Sequence, residues 1–207
     1  MKQVNITYHG HACFTLEADS YRTVIDPYKD GMVDGLPNLS LEAEAVFGSH
    51  GHADHNYYQA VKLCPAKTAV PYTLESIETA HDDQGGKLRG MNQVRIFEFD
   101  GLKIAHLGDL GAVPQWDLLE KLRGVDCLLI PVGGIYTIDP VQAKRTIDLV
   151  QPRVAVPMHY RTENAGFDVL AHLHDFTGQY REVNSCDNTF VLTEQTENQI
   201  LVINYKP

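Results

Sequence analysis

Apolar and polar residues alternate at the start of the chain, with Val4, Ile6 and Tyr8 on one face. A period of two predicts a half-buried strand. Cys13–Glu17 and Tyr21–Asp26 read as two more strands joined by an Asp-Ser turn. Lys29–Ser40 is rich in Gly, Asp, Asn and Pro and predicts a loop. Ala43–Gly48 is a short apolar run that leads into His50. The pattern then predicts helix over Asn56–Cys64, a strand at Thr68–Val70 and a helix over Thr73–Ala80. Asp100-Gly101 marks a hairpin between strands Gln93–Asp100 and Lys103–Leu107. Further helices are expected at Pro114–Leu122, Pro140–Val150 and Phe167–Phe176. Continuous apolar runs at Val125–Ile130 and Val154–Val156 predict strands buried on both faces. Phe190–Thr193 and Ile200–Tyr205 read as closing strands. Each half begins with hairpin strands and moves to strand–helix alternation. That order predicts an α/β fold of two mixed sheets with helices outside, in one domain spanning 1–207.

The segment directly after the Ala43–Gly48 run is chemically distinctive. It reads Ser49-His50-Gly51-His52-Ala53-Asp54-His55. Residues two apart in extended chain face the same side, so His50 and His52 can grip one ion. Asp54 and His55 point to a second position where the chain turns. Imidazole with carboxylate suits zinc, iron(II) or manganese better than magnesium or calcium. A solvated polar loop is the bland alternative, but clustering three imidazoles without a partner is costly. Six residues cannot fill two coordination shells. His81, Asp109 and His159 are the distant candidates, the last two at strand ends, where sites gather in layered α/β folds.

His106 lies on the strand face opposite Asp109 and reads as a buried structural residue. His9 and His11 lie near the first turn, where they could reach the rim of the site, though a polar turn is the favoured reading. His172 and His174 read as surface or packing residues of the helix 167–176.

Composition narrows the function classes. The 207 residues carry 17 Lys+Arg against 27 Asp+Glu, a net charge of −10. A surface that negative repels phosphate backbones and anionic lipid, so a small-molecule substrate is expected rather than nucleic acid or membrane. No apolar run reaches bilayer length, and the first residues lack a signal-peptide core. Cys13, Cys64, Cys127 and Cys186 form no CxxC pair and read as reduced thiols. A cytoplasmic location is therefore expected. A homo-oligomer is compatible with all of this.

These residues together resemble the metallo-β-lactamase superfamily. The segments that carry the resemblance are His50–His55, His81, Gly108-Asp109 and Met158-His159-Tyr160. A closer likeness, to the small Zn-dependent hydrolase branch related to ascorbate-6-phosphate lactonase-like proteins, rests on Tyr8–Phe14, Val24–Pro27, Ala105–Gly111, Ile130–Gly134 and Pro157–Tyr160. The resemblance implies a four-layer αββα sandwich with a binuclear site. By analogy one metal takes His50, His52 and His81, the other takes Asp54, His55 and His159, and Asp109 bridges them. The implied cofactors are two divalent ions, zinc first, with manganese and iron as alternatives. Asp26 either orients a ligand histidine or caps a turn before Pro27.

The expected chemistry is hydrolysis of a small ester, lactone or phosphodiester by a metal-activated hydroxide. Asp54 and Asp109 would hold the cations and position the nucleophile. No G-x-S-x-G elbow is present. Tyr136 and Arg161 are candidate substrate contacts. The competing readings are a metal sensor or di-iron redox module without hydrolytic turnover, and a glyoxalase II-like thioester hydrolase.

Overall fold

A computed structural model describes residues 2–205. Met1, Lys206 and Pro207 of the expected domain lie outside the described residues. Two mixed sheets stack on a shared apolar core. Among the described residues the first has five strands and the second seven.

In the first sheet β1 (Gln3–Gly10), β2 (Cys13–Ala18) and β3 (Tyr21–Ile25) form an antiparallel meander. β13 (Thr189–Thr193) adds antiparallel at one edge, and β5 (Ala45–Phe47) adds parallel at the other. In the second sheet β7 (Thr73–Ala80), β8 (Met91–Phe99) and β9 (Leu102–His106) are antiparallel. β9, β10 (Cys127–Pro131), β11 (Val154–Met158) and β14 (Gln199–Ile203) run parallel, with β12 (Asn184–Cys186) outside β14. Parallel neighbours need crossovers. Here α1 (Trp116–Leu122) links β9 to β10 and α2 (Pro140–Val150) links β10 to β11. α2 starts on an Asp139 capping box with Pro140 at its first turn.

The alternation at Val4, Ile6 and Tyr8 puts all three in the core between the sheets, with Phe14, Leu16 and Ile25 beside them. β10 and β11 are buried at every position, as strands covered on both faces must be. The helices α1, α2 and α3 (Leu173–Thr177) contact one another in turn and lend Leu122, Ile147 and Phe176 to the same core. The far face of the first sheet has a different cover. There Cys13 and Val24 pack under Tyr28, Val33, Ala43 and Val61, which come from a loop and the small parallel pair β4 (Leu41–Ala43) and β6 (Val61–Leu63).

Four local expectations are corrected. Thr73–Ala80 is a strand, not a helix. Leu74 and Ile77 have helical spacing, but eight residues pair with β8 from Thr73↔Glu98 to Ala80↔Met91, and that pairing overrides local propensity. Asn56–Cys64 holds only a 3-10 turn, Tyr58–Ala60, because its last residues are drawn into pairing with β4. Thr68–Val70 is irregular. The helix expected at Phe167–Phe176 shortens to Leu173–Thr177, its start fixed where His172 N–H donates to Asp175. No described helix is long and apolar enough to cross a membrane. The four cysteines are free.

Candidate metal centre

The site lies where strand ends from both sheets meet. β5 delivers Ser49–His55, β7 delivers His81, β9 delivers Asp109 and β11 delivers His159. The hairpin turn between β1 and β2 delivers His11, and the end of β3 delivers Asp26. His11, Asp26 and His159 all sit in the left-handed backbone region, with φ of 55°, 50° and 53°. Non-glycine residues hold that conformation where surrounding structure over-determines it, commonly at functional sites.

Potential ligand atoms gather in three overlapping groups: His50 with His52 and His81; His11 with Asp54, His55 and His159; and His50 with His55 and Asp109. Within each group the atoms lie within 4.8 Å of one another. Asp109 sits between the first two. Its Oδ2 is 3.3 Å from His81 Nε2, 3.3 Å from His55 Nε2, 3.4 Å from His159 Nε2 and 3.9 Å from His50 Nε2.

Hydrogen bonds around the groups orient the rings. Asp26 is fully buried and accepts from Ser49 N–H at 2.6 Å and Ser49 Oγ–H at 2.7 Å. Its Oδ2 also faces His55 Nδ1 at 2.7 Å. Since the Ser49 hydroxyl proton goes to Asp26, the 2.9 Å contact with His50 must be Nδ1–H donating to Ser49 Oγ. His81 Nδ1–H donates to the Tyr136 carbonyl at 3.1 Å. In all three rings the second nitrogen is tied back into the protein and Nε2 points at the shared space, the arrangement of histidines that hold metals. The Asp109 backbone N–H donates to Asn92 Oδ1 at 2.9 Å, while Asn92 donates to Thr79 and the Leu107 carbonyl. A Cβ at Gly108 would lie 2.2 Å from Asn92 Oδ1, so this turn requires glycine. Asp82 takes four backbone N–H groups of the following loop and so anchors the chain beside His81.

The charges fit a cation. Burial holds the His50 ring down to about 3 and the His11 ring down to about 4, so both are neutral near pH 7. Burial would raise Asp109, but His159 and His55 outweigh it and hold the carboxylate well below its usual range. Burial would likewise lower His55, yet Asp109 and Asp26 draw it well above the ordinary histidine value. His55 Nε2, Asp109 Oδ1 and both nitrogens of His159 are buried with no hydrogen-bond partner among the described residues. Orphaned buried donors and acceptors are expensive, and a divalent cation would satisfy them. The residues present therefore fit metal ions.

The surroundings sort the remaining candidates. Asp26 touches Ser49 and His55. Tyr136 contributes its carbonyl to His81 and its ring to the cleft. That cleft encloses about 570 Å³ over the site and is lined by His52, Asp54, His81, Asp109, Met32, Arg89, Tyr136 and Phe167. Arg161 lines a separate surface cavity with Asp34 and His172. His106 is buried with Nε2–H donating to the Ala12 carbonyl and Nδ1 accepting from Gly108 N–H, so its ring is spent on backbone.

His11 is corrected. It does sit in the β1–β2 turn, but its side chain is buried, 3.2 Å from Asp54 and with its ring centroid 4.1 Å from that of His159. Nothing in local sequence distinguishes such a histidine from a polar turn residue, because its partners are more than 40 residues away. Ser49, Asn92 and Asp82 were equally silent, being ordinary polar residues until the strands place them.

The fold and the donor set define a metal-dependent hydrolase class. Residues 5–159 match the family described as the beta-lactamase superfamily domain. A Zn-dependent hydrolase of the metallo-β-lactamase superfamily from Thermotoga maritima superposes with a TM-score of 0.75, covering 98% of this chain and 100% of that one at 32% identity. A UPF0173 metal-dependent hydrolase from Thermococcus onnurineus is 29% identical over 77% of this chain and 85% of its own length. A UPF0173 metal-dependent hydrolase from Opitutus terrae is 27% identical over 86% and 92%. The chain belongs to the β-lactamase superfamily, as one of its metal-dependent hydrolases.

Proposed function

We propose that the chain hydrolyses a small ester, lactone or phosphodiester with two divalent cations. One would rest on His50, His52 and His81, the other on Asp54, His55 and His159, with Asp109 shared. The observation that carries this reading is the position of Asp109 Oδ2, within 3.4 Å of a histidine from each group. When bound, such a pair brings the pKa of a water towards neutrality and polarises the attacked oxygen. Imidazole-rich donors favour zinc, with manganese and iron as alternatives.

The chain's own residues supply the rest. Asp54 and Asp109 provide the negative charge that retains the cations and orient the attacking water. Asp26, Ser49 and the Tyr136 carbonyl fix three imidazoles in the tautomer that leaves Nε2 free. His11 lies against Asp54 and holds its carboxylate in place. Met32, Tyr136 and Phe167 wall the cleft and exclude bulk water from the reacting bond. The acid excess favours a small substrate over nucleic acid or membrane, and four free thiols suit the cytoplasm.

The test is metal content after purification without chelators, joined to a screen of para-nitrophenyl phosphodiesters, esters and lactones. About two ions per chain with turnover of one of these classes is expected. Iron without turnover of any ester would favour the sensor or redox reading instead. Turnover confined to thioesters would move the substrate assignment to the glyoxalase II-like reading.

A further inference from the structure

Among the described residues that line the cleft, Arg89 is the one Lys or Arg side chain. Arg89 lies in the loop anchored by Asp82, and its own backbone N–H is one of the four donors to that carboxylate at 2.9 Å. Its guanidinium lies 5.4 Å from the centre of the Tyr136 ring. The Phe167 ring meets Tyr136 edge-on at 6.3 Å, so the arginine rests on a braced aromatic wall. Among the described residues, no carboxylate lies within ion-pair distance of Arg89. This contrasts with Arg22 and Arg153, which are engaged by Glu44 and Asp126 at 3.0 and 2.8 Å.

A guanidinium lying over a ring keeps its edge N–H groups free, in a planar fork that matches a carboxylate or phosphate. The same wall is tied to the metal centre. The Tyr136 carbonyl orients His81, and the preceding Ile135 sits at φ 58°, an uncommon conformation for a β-branched residue. The loop that carries the ring is thus held in a specific shape beside the ligand histidine.

Building on the hydrolase reading, we propose that Arg89, seated on Tyr136, binds an anionic group of the substrate distant from the bond that is cleaved. The substrate class is then a small ester or lactone with a terminal carboxylate or phosphate, and an apolar middle that meets Met32 and Phe167. Arg89 is a specificity residue in this scheme and touches no reacting atom.

A matched set of substrates tests it. Mono-para-nitrophenyl glutarate carries a carboxylate at the far end, para-nitrophenyl pentanoate is its neutral counterpart, and the para-nitrophenyl ester of 4-phosphonobutyrate carries the phosphate-like charge. Arg89→Gln is expected to lower kcat/KM on the better anionic ester by about 10- to 100-fold and to leave the neutral ester within about twofold. Arg89→Lys should restore part of the loss, since it keeps charge but not the fork. Whichever anionic ester suffers more identifies carboxylate or phosphate as the natural group. Calorimetric binding of glutarate and of 4-phosphonobutyrate to the metal-loaded protein gives a readout independent of turnover, and Arg89→Gln should weaken the tighter one about tenfold or more. Equal losses on charged and neutral esters, unchanged binding in Arg89→Gln, or no binding of either anion by the unaltered protein would overturn the proposal. Absent turnover with intact, Arg89-dependent anion binding would instead remove the hydrolase reading and leave the anion site standing.

Discussion

The two histidine groups of the candidate metal centre sit in different settings, one of imidazoles alone and one that adds the Asp54 carboxylate. In the His50–His52–His81 group, His52 is exposed while the His50 and His81 side chains are buried, and the bracing comes from one hydroxyl and one backbone carbonyl. In the His11–Asp54–His55–His159 group only Asp54 reaches towards solvent. That half is braced by the buried carboxylate of Asp26, and it holds most of the ring nitrogens that lack partners. Enclosure makes an empty site costly, because nothing else can satisfy those atoms. Openness makes release cheap, because water can replace the ligand. The enclosed half should therefore keep its ion longer, and the open half should be the place where ions exchange and substrate enters.

Asp109→Asn should break the comparison altogether. Losing the shared charge removes an anion from both halves, so metal content should collapse and turnover fall about a thousandfold. Elemental analysis and initial rates check this. Asp26→Asn should narrow the difference between the halves. It frees His55 directly and His50 only through Ser49, and loss of such an outer partner typically weakens metal retention about 10- to 100-fold. Competition against a fluorescent chelator would read it, with the enclosed half losing more.

A smaller effect follows from pH in the metal-free protein. Burial holds His9, His11 and His50 down to about 4, about 4 and about 3, against an ordinary value near 6.5. Between those values the unfolded chain takes up protons that the folded chain refuses. Their contribution to stability is therefore intact above about 6.5 and is lost as pH drops towards 4. His55, drawn upward by Asp109 and Asp26, acts on the other side: its contribution is present below about 6.5 and is lost as pH rises above that value. Denaturant midpoints at a series of pH values should show this decline, and His9→Gln, which lies outside the ligand groups, should flatten it.

Much of this fold was legible in the sequence because strands buried on one face keep a period of two. Val4, Ile6 and Tyr8 show it, and the buried runs at 127–131 and 154–158 show the continuous variant. The failures share a cause. Thr73–Ala80 has glutamates and helical spacing, yet it becomes the edge strand β7, where its glutamates also discourage edge-to-edge pairing. Only β8, eleven residues further on, decides its state. The donor cluster at 50–55 was visible since its members are adjacent in sequence. His11, Ser49 and Asn92 were not, because their roles exist only through contacts that the strands bring together.

The sharpest test is stepwise metal removal by a chelator, followed by ion count per chain in the unaltered protein and in His52→Ala. Two separable losses are predicted, with His52→Ala lacking only the easier one and keeping a single tightly held ion. Loss of both ions in one step, or complete loss of metal from His52→Ala, would contradict a centre built of one open and one enclosed half.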